Sequence, residues 1–106
     1  MTVNGKNLSM VRGDTESITV SLKGYALAEG DAITFTVRED AESDIVLQKT
    51  VTEFFDNTAS IFIDNEDTKD LEFGSYVYDI QLKYRDGYIR TLVKKSKFRL
   101  EEEVTY

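Results

Sequence analysis

The stretch from Asp67 to Tyr84, DTKDLEFGSYVYDIQLKY, decides the fold of this chain. Between Tyr76 and Tyr84 every second residue is aromatic or aliphatic, and most of the residues between them are polar. Successive side chains of a strand point to opposite faces, so this alternation predicts an antiparallel strand with one buried face. The strand should therefore lie at the core of a protein built from sheets.

A corner is predicted immediately before this strand. The segment Leu71–Tyr76 combines a polar turn, a glycine and a tyrosine that enters the strand, which is typical of the tyrosine corner of a β-sandwich. We expect the Tyr76 hydroxyl to donate a hydrogen bond to the backbone near Thr68–Asp70. We also expect Tyr78 to be buried.

The rest of the chain repeats the alternating pattern in short runs separated by turn residues. Runs at a spacing of roughly 8–12 residues predict a single all-β domain over residues 1–106. The expected fold is an immunoglobulin-like antiparallel β-sandwich of about seven or eight strands. The predicted strands are Asn7–Arg12, Thr15–Lys23, Ala32–Glu39, Ile45–Thr52, Thr58–Asp64, Tyr76–Tyr84, Tyr88–Lys94 and Phe98–Thr105.

Charge and composition exclude several classes of function. Thirteen basic and twenty acidic residues give a net charge of −7 and a pI near 4.5, so nucleic acid, which requires a basic field, is not an expected partner. No apolar run approaches the roughly 20 residues needed to span a bilayer, and the N-terminus lacks the pattern of a signal peptide. We therefore expect that the protein is made in a cytoplasm and that it does not associate with a membrane.

Residue types that are absent also limit the chemistry. Without cysteine or histidine the chain has neither a disulfide framework nor the commonest general base and zinc ligand. No phosphate-binding glycine loop or nucleophile motif is present. We predict no catalytic residue, no metal site and no cofactor. Because proline is absent as well, the edge strands should be protected by charge.

Two short motifs have an ordinary explanation in turn chemistry. Arg12-Gly13-Asp14 spells a tripeptide that integrins bind, but it lies between two predicted strands, where Gly-Asp is a common turn pair. The acidic segment Asp64–Asp70 does not have the EF-hand spacing that a calcium site of this kind requires. A short helical turn capped by Asp67 or Asn65 accounts for it better.

The predicted hairpin tip carries the candidate binding residues. Asp86-Gly87 predicts a tight turn, because glycine adopts a positive φ without steric cost. Tyrosine combines apolar area with a polar tip and is enriched at binding hot spots. Since Tyr76 and Tyr78 are expected in the core, the interface candidates are Tyr84, Asp86 and Tyr88.

Three stretches together resemble a known family. They are Arg12–Thr15 with the following ITVSL run, Gly30–Arg38, and Asp67–Leu71 continued by Gly74–Leu82. The chain resembles small phage and prophage structural proteins of Firmicutes. It is especially similar to the N-terminal immunoglobulin-like domain of baseplate upper proteins, which attaches a host-recognition device to the phage tail.

The resemblance implies a non-enzymatic structural or docking module of a phage or prophage particle, associated with the tail or baseplate. Its partners would be other phage structural proteins, with homo-oligomerisation left open, and its location the virion, after assembly in the bacterial host cytoplasm. The alternative is a bacterial surface or carbohydrate-binding immunoglobulin-like domain, for which a tyrosine-lined surface patch is expected.

Overall fold

The computed structural model describes residues 7–40 and 42–102 of the chain. Within these ranges two sheets enclose one hydrophobic core, so the chain is a β-sandwich, as predicted. The larger sheet has the strand order β1-β7-β6-β3-β4, and the smaller sheet pairs β2 with β5. The elements are Leu8–Val11 (β1), Glu16–Ser21 (β2), Ala32–Arg38 (β3), Ile45–Val51 (β4), Thr58–Ile63 (β5), Asn65–Thr68 (α1), Gly74–Lys83 (β6) and Ile89–Glu101 (β7).

Strand β6 occupies the middle of the larger sheet and supplies the centre of the core. It pairs antiparallel with β3 on one side and with β7 on the other. The predicted alternation is confirmed, because the inward side chains of β6 are all buried: Tyr76, Tyr78, Ile80 and Leu82. The smaller sheet covers them with Ile18, Val20, Ala59, Ile61 and Ile63.

An aromatic cluster joins β3, β6 and β7 in the core. The ring of Phe35 lies 5.5 Å from that of Tyr78 and 5.9 Å from that of Phe98. Tyr78 follows the corner residue Tyr76 by two positions, where antibody domains place the second cysteine of their inter-sheet disulfide. In this chain Tyr78 occupies that position, and all three rings lie on the larger sheet.

The tyrosine corner is present, but its acceptor differs from the predicted one. The Tyr76 hydroxyl donates to the carbonyl oxygen of Glu72, four residues upstream, and not to Thr68–Asp70. Helix α1 occupies Asn65–Thr68, and the Thr68 hydroxyl accepts a hydrogen bond from the Gly13 N–H at 2.9 Å. Of the residues predicted as acceptors, Thr68 thus belongs to the helix, and Lys69 and Asp70 follow its C-terminus. Within the described ranges no helix is long and apolar enough to cross a membrane.

The last two predicted strands are one strand, β7. Val93 is buried, but the next buried apolar residues are Phe98 and Leu100, and a spacing of five breaks the alternation of a regular strand. A register shift relative to β6 absorbs the extra residues, because Tyr78 pairs with Ser96 and Ile80 with Val93. Residues 103–105 of the predicted strand lie outside the described part of the chain.

The first strand also departs from a purely antiparallel arrangement. Strand β1 pairs with the second half of β7 in parallel, with Leu8 opposite Phe98 and Met10 opposite Leu100. All four side chains are buried, so the short strand extends the core at the edge of the larger sheet.

Replacing Ile80 by alanine should lower the free energy of unfolding by about 2–5 kcal/mol, because the side chain is fully buried between the sheets. Urea unfolding monitored by circular dichroism measures the change. Gln81→Ala, on the exposed face of the same strand, is the matched control and should stay within about 0.5 kcal/mol of the wild type. Equal losses for both variants would contradict the assigned faces of β6.

Candidate functional site

Three loops meet at one end of the sandwich. They connect β2 to β3, β4 to β5 and β6 to β7, and they comprise residues 22–31, 52–57 and 84–88. The strand register brings their ends together, because Ser21 pairs with Thr58 and Lys83 pairs with both Ala32 and Ile89. The predicted interface residues lie on the third of these loops.

The hairpin tip has the tight turn that Asp86-Gly87 predicts. Gly87 has a φ of 97°, and its N–H donates to the Tyr84 carbonyl oxygen at 2.8 Å. The Tyr84 N–H donates in turn to the Tyr88 carbonyl oxygen at 2.7 Å, which closes the hairpin. The Asp86 carboxylate accepts a hydrogen bond from the Tyr88 N–H at 3.2 Å and therefore braces the turn.

The three predicted interface residues differ in exposure. Tyr88 leaves 74% of its surface exposed and Asp86 is exposed as well, whereas Tyr84 is half-buried. The Tyr84 ring packs edge-on against Tyr25, with the ring centroids 4.7 Å apart. Tyr84 therefore supports the tip from below, and Asp86 and Tyr88 face outward. A role in an interface stays a prediction for all three.

A fully buried carboxylate, Asp31, fixes the hairpin to the loop between β2 and β3. It accepts hydrogen bonds from the N–H groups of Ala28 at 3.0 Å and Arg85 at 2.8 Å, and from the Tyr25 hydroxyl at 3.1 Å. The Arg85 guanidinium lies 3.6 Å from the same carboxylate and also donates to the Tyr25 hydroxyl. The three residues Tyr25, Asp31 and Arg85, here called the Asp31 network, hold two loops together.

Opposing effects act on the pKa of Asp31. Burial raises the pKa of the carboxyl group, since desolvation disfavours its charged form. The hydrogen bonds from Ala28, Arg85 and Tyr25 and the positive charge of Arg85 lower the pKa by more, so it lies below the ordinary value of 3.8. Asp31 is consequently ionised and fully bonded at neutral pH.

The role of Asp31 was missed in the sequence. It follows Gly30, and a Gly-Asp pair is ordinary turn chemistry. Its donors lie 3, 6 and 54 positions away along the chain, so no local pattern connects them. Gly30 also lies at the contact between these two loops. Its φ is 97°, and a Cβ atom at this position would lie 2.9 Å from the Arg85 Cβ, so a residue other than glycine would not fit.

The loop between β4 and β5 is fixed by one asparagine. Asn57 has a positive φ of 57°, and its amide donates to the carbonyl oxygens of Leu22 at 2.8 Å and Tyr25 at 2.9 Å. Its side-chain oxygen accepts from the Leu27 N–H at 2.7 Å. All three loops at this end are thus connected by hydrogen bonds that involve side chains.

An apolar groove adjoins this end along strand β5. The loop that carries Phe54 and Phe55 forms one wall, and the outward residue Phe62 of β5 forms the other. Phe55 is 86% exposed and Phe62 61% exposed, whereas Phe54 and Val51 are half-buried against the core. This β5 groove is lined by Val51, Glu53, Phe54, Phe55, Asp56, Thr58, Ser60 and Phe62.

The Arg12-Gly13-Asp14 tripeptide forms the predicted turn. Gly13 has a φ of 87°, and the Asp14 N–H donates to the Val11 carbonyl oxygen at 3.1 Å. The Arg12 guanidinium donates to the Leu71 carbonyl oxygen and lies 4.8 Å from the centroid of the Phe73 ring. Its arginine is therefore a scaffold contact between β1 and the segment that enters β6.

The acidic segment forms a capped helical turn, with one correction to the prediction. Asp64 is the N-cap residue, in place of Asn65 or Asp67, and its N–H donates to the Asp67 carboxylate at 2.7 Å. Asp67 also pairs with Lys49 of β4 at 2.8 Å. In residues 7–40 and 42–102 no group of three or more acidic side chains is arranged to hold a metal ion.

Comparison with known proteins bears on the fold. No family model matches the sequence, and no curated protein matches it. A solved structure is similar to it, that of the extracellular domain of the voltage-gated sodium channel β4 subunit, whose parallel homodimer structures explain its role in cell–cell adhesion. The match has a TM-score of 0.52 and 12% identity, and it covers 96% of each chain. At this identity it shows the fold alone, which is an immunoglobulin-like β-sandwich, as predicted.

The Asp31 network should make stability dependent on acid. The pKa of Asp31 is lowered in the folded state, so the ionised carboxylate stabilises the fold at pH values above 3.8, the ordinary pKa of this group. That contribution is lost as the pH falls below 3.8 through the lower folded-state pKa. Asp31→Asn should therefore be less stable than the wild type at neutral pH, and the difference should shrink in acid.

Urea unfolding at neutral pH and at a series of lower pH values measures this effect. Glu29→Gln, an exposed acid in the same loop, is the matched control and should follow the wild-type pH profile. If Asp31→Asn and the wild type lose stability in parallel on acidification, Asp31 does not carry this dependence.

Proposed function

We propose that this chain is a non-enzymatic docking module of a phage or prophage particle, associated with its tail or baseplate. The observation that carries the proposal is the group of three loops gathered at one end of the sandwich. Variable immunoglobulin domains present their binding loops in the same way, at one end of the two sheets. The partners are other structural proteins of the particle.

The rigidity of these loops supports binding. The Asp31 carboxylate and the Asn57 amide together make hydrogen bonds that connect all three loops. A surface that is already ordered loses less conformational entropy when a partner binds. Tyr88, at the tip, offers an exposed aromatic ring of the kind that contributes strongly to interfaces.

The resemblance to phage structural proteins supports the particle as the location. Two of the stretches that carry the resemblance build the scaffold of the loops. Gly30–Arg38 contains Asp31 and strand β3, and Asp67–Leu82 contains the corner and strand β6. The similarity therefore concerns the part of the chain that positions the candidate surface.

Particles purified from an induced lysogen that encodes this chain test the proposal. Quantitative mass spectrometry should find the protein in a fixed ratio to the tail proteins. The double variant Asp86→Ala, Tyr88→Ala should fold but be depleted from particles, because it removes the outward-facing side chains of the tip. Recovery of the wild-type protein only outside the particles would contradict the proposal.

A second candidate is a bacterial surface or carbohydrate-binding immunoglobulin-like domain. Tyr88 and Ile89 expose 74% and 63% of their surfaces beside each other, and aromatic rings of this kind stack on sugars. The sodium channel β4 domain with the same fold forms parallel homodimers, so a second copy of this chain is a further partner under this candidate.

Glycan binding and self-association distinguish the second candidate from the first. On a glycan array the wild-type protein should give signals that Tyr88→Ala abolishes, or sedimentation should show a dimer that the same substitution dissociates. A monomer that binds no glycan would remove this candidate.

A further inference from the structure

Strand β5 leaves part of its main chain unpaired within the described residues. Its only neighbouring strand there is β2, and the pairing is antiparallel. In such a pair every second residue directs its N–H and C=O groups away from the partner. Thr58 does so, because both its backbone groups bond to Phe55. By the same alternation Ser60 and Phe62 direct their backbone groups outward.

Both ends of this free edge are closed by other contacts. At the start, the N–H and C=O groups of Phe55 bond to those of Thr58 at 3.0 and 2.9 Å. At the end, the Asp64 N–H donates to the Asp67 carboxylate, and the Asp64 carbonyl oxygen accepts from the Asp67 N–H. The free edge is thus confined to residues 60–62, where it adjoins the β5 groove.

The β5 groove offers side-chain contacts beside this edge. Phe55 and Phe62 are exposed on its outer side, and Val51 and Phe54 are half-buried on its inner side. An added strand presents alternate side chains to opposite faces, so it would contact the outer pair with one set of side chains and the inner pair with the other. Edge hydrogen bonds with alternating side-chain contacts are the means by which sheets bind extended peptides.

The charges around the groove define the occupant further. Glu53 and Asp56 line it, and neither forms an ion pair among the described residues. Strand β5 itself, TASIFI, carries no charge. A second copy of this chain, with a net charge of −7, would bring further negative charge to the same place.

From these observations we propose that β5 binds an extended, basic segment of a partner protein as an additional strand. The segment pairs with the backbone of Ser60 and Phe62, and its apolar side chains contact Phe55 and Phe62. The alternate side chains are lysine or arginine, whose aliphatic stems pack against Val51 and Phe54 while their charges reach Glu53 and Asp56. This inference rests on the docking role proposed above and names the surface and the chemistry of the partner.

Synthetic strand-length peptides test the proposal with the full chain. The probe alternates valine and lysine. Its controls alternate valine and glutamate, or carry proline in the middle of the valine–lysine sequence. We expect the valine–lysine peptide to bind and to slow hydrogen exchange at the Ser60 and Phe62 amides. The glutamate and proline controls should bind at least about tenfold more weakly.

Variants of the protein locate the binding. Ser60→Pro blocks the edge while the pairing with β2 is retained, because the lost N–H faces away from β2. Phe62→Ser removes a groove wall, and Glu53→Lys reverses a charge. Each should weaken binding by about tenfold. The matched controls Ile45→Ser and Glu29→Lys alter exposed residues elsewhere and should leave binding unchanged.

Three results would overturn the inference: absence of binding, equal binding of the glutamate peptide, or a dimer of the protein that protects the same amides. Should Ser60→Pro fail to fold, Phe62→Ser and Glu53→Lys retain the test. The particle experiment distinguishes this inference from the proposed function. If the peptide binds but the protein is absent from particles, the β5 groove remains a binding site and the role in a particle is excluded. If the protein is present in particles but the peptide does not bind, the role in a particle remains and the β5 inference is excluded.

Discussion

The structure depends on the burial of the inner face of β6 against the smaller sheet. Tyr78 and Ile80 lie at the centre of this contact, and both are essentially fully buried. No cysteine is present to join the sheets, which are held by apolar packing, and the aromatic pairs of Phe35 with Tyr78 and Phe98 lie within the larger sheet. Such aromatic pairs add about 0.5–1.5 kcal/mol each beyond the burial of their area. Cohesion between the sheets is therefore entirely noncovalent.

Polar contacts fix the two ends of the sandwich separately. At one end, the Thr68 hydroxyl and the Arg12 guanidinium connect the first turn to the segment before β6. At the other end, Asp31 and Asn57 connect the three loops. Because Asp31 is fully buried and its donors come from two different loops, a change there would affect both the position of the hairpin tip and the stability of the fold.

The sequence predicts the features that depend on neighbouring residues. Alternation placed the inward residues of β6 correctly, because strand faces repeat every two residues. Where the alternation breaks, between Val93 and Phe98, one bulged strand was predicted as two. The Asp31 network could not be predicted, since Arg85 lies 54 residues away from Asp31 in the chain. Likewise, alternation does not show which strand edge has no neighbouring strand among the described residues.

The free edge of β5 also conflicts with an expectation drawn from composition. A chain without proline should protect its edges with charge, and β4, one edge strand of the larger sheet, carries Lys49, which pairs with Asp67. Strand β5 has no charged residue, and it exposes Phe62 beside the outward main chain of Ser60. An unprotected edge of this kind favours pairing with another strand. The acidic residues Glu53 and Asp56 beside this edge repel another acidic chain and attract a basic one. The edge that favours strand pairing therefore also favours a basic partner.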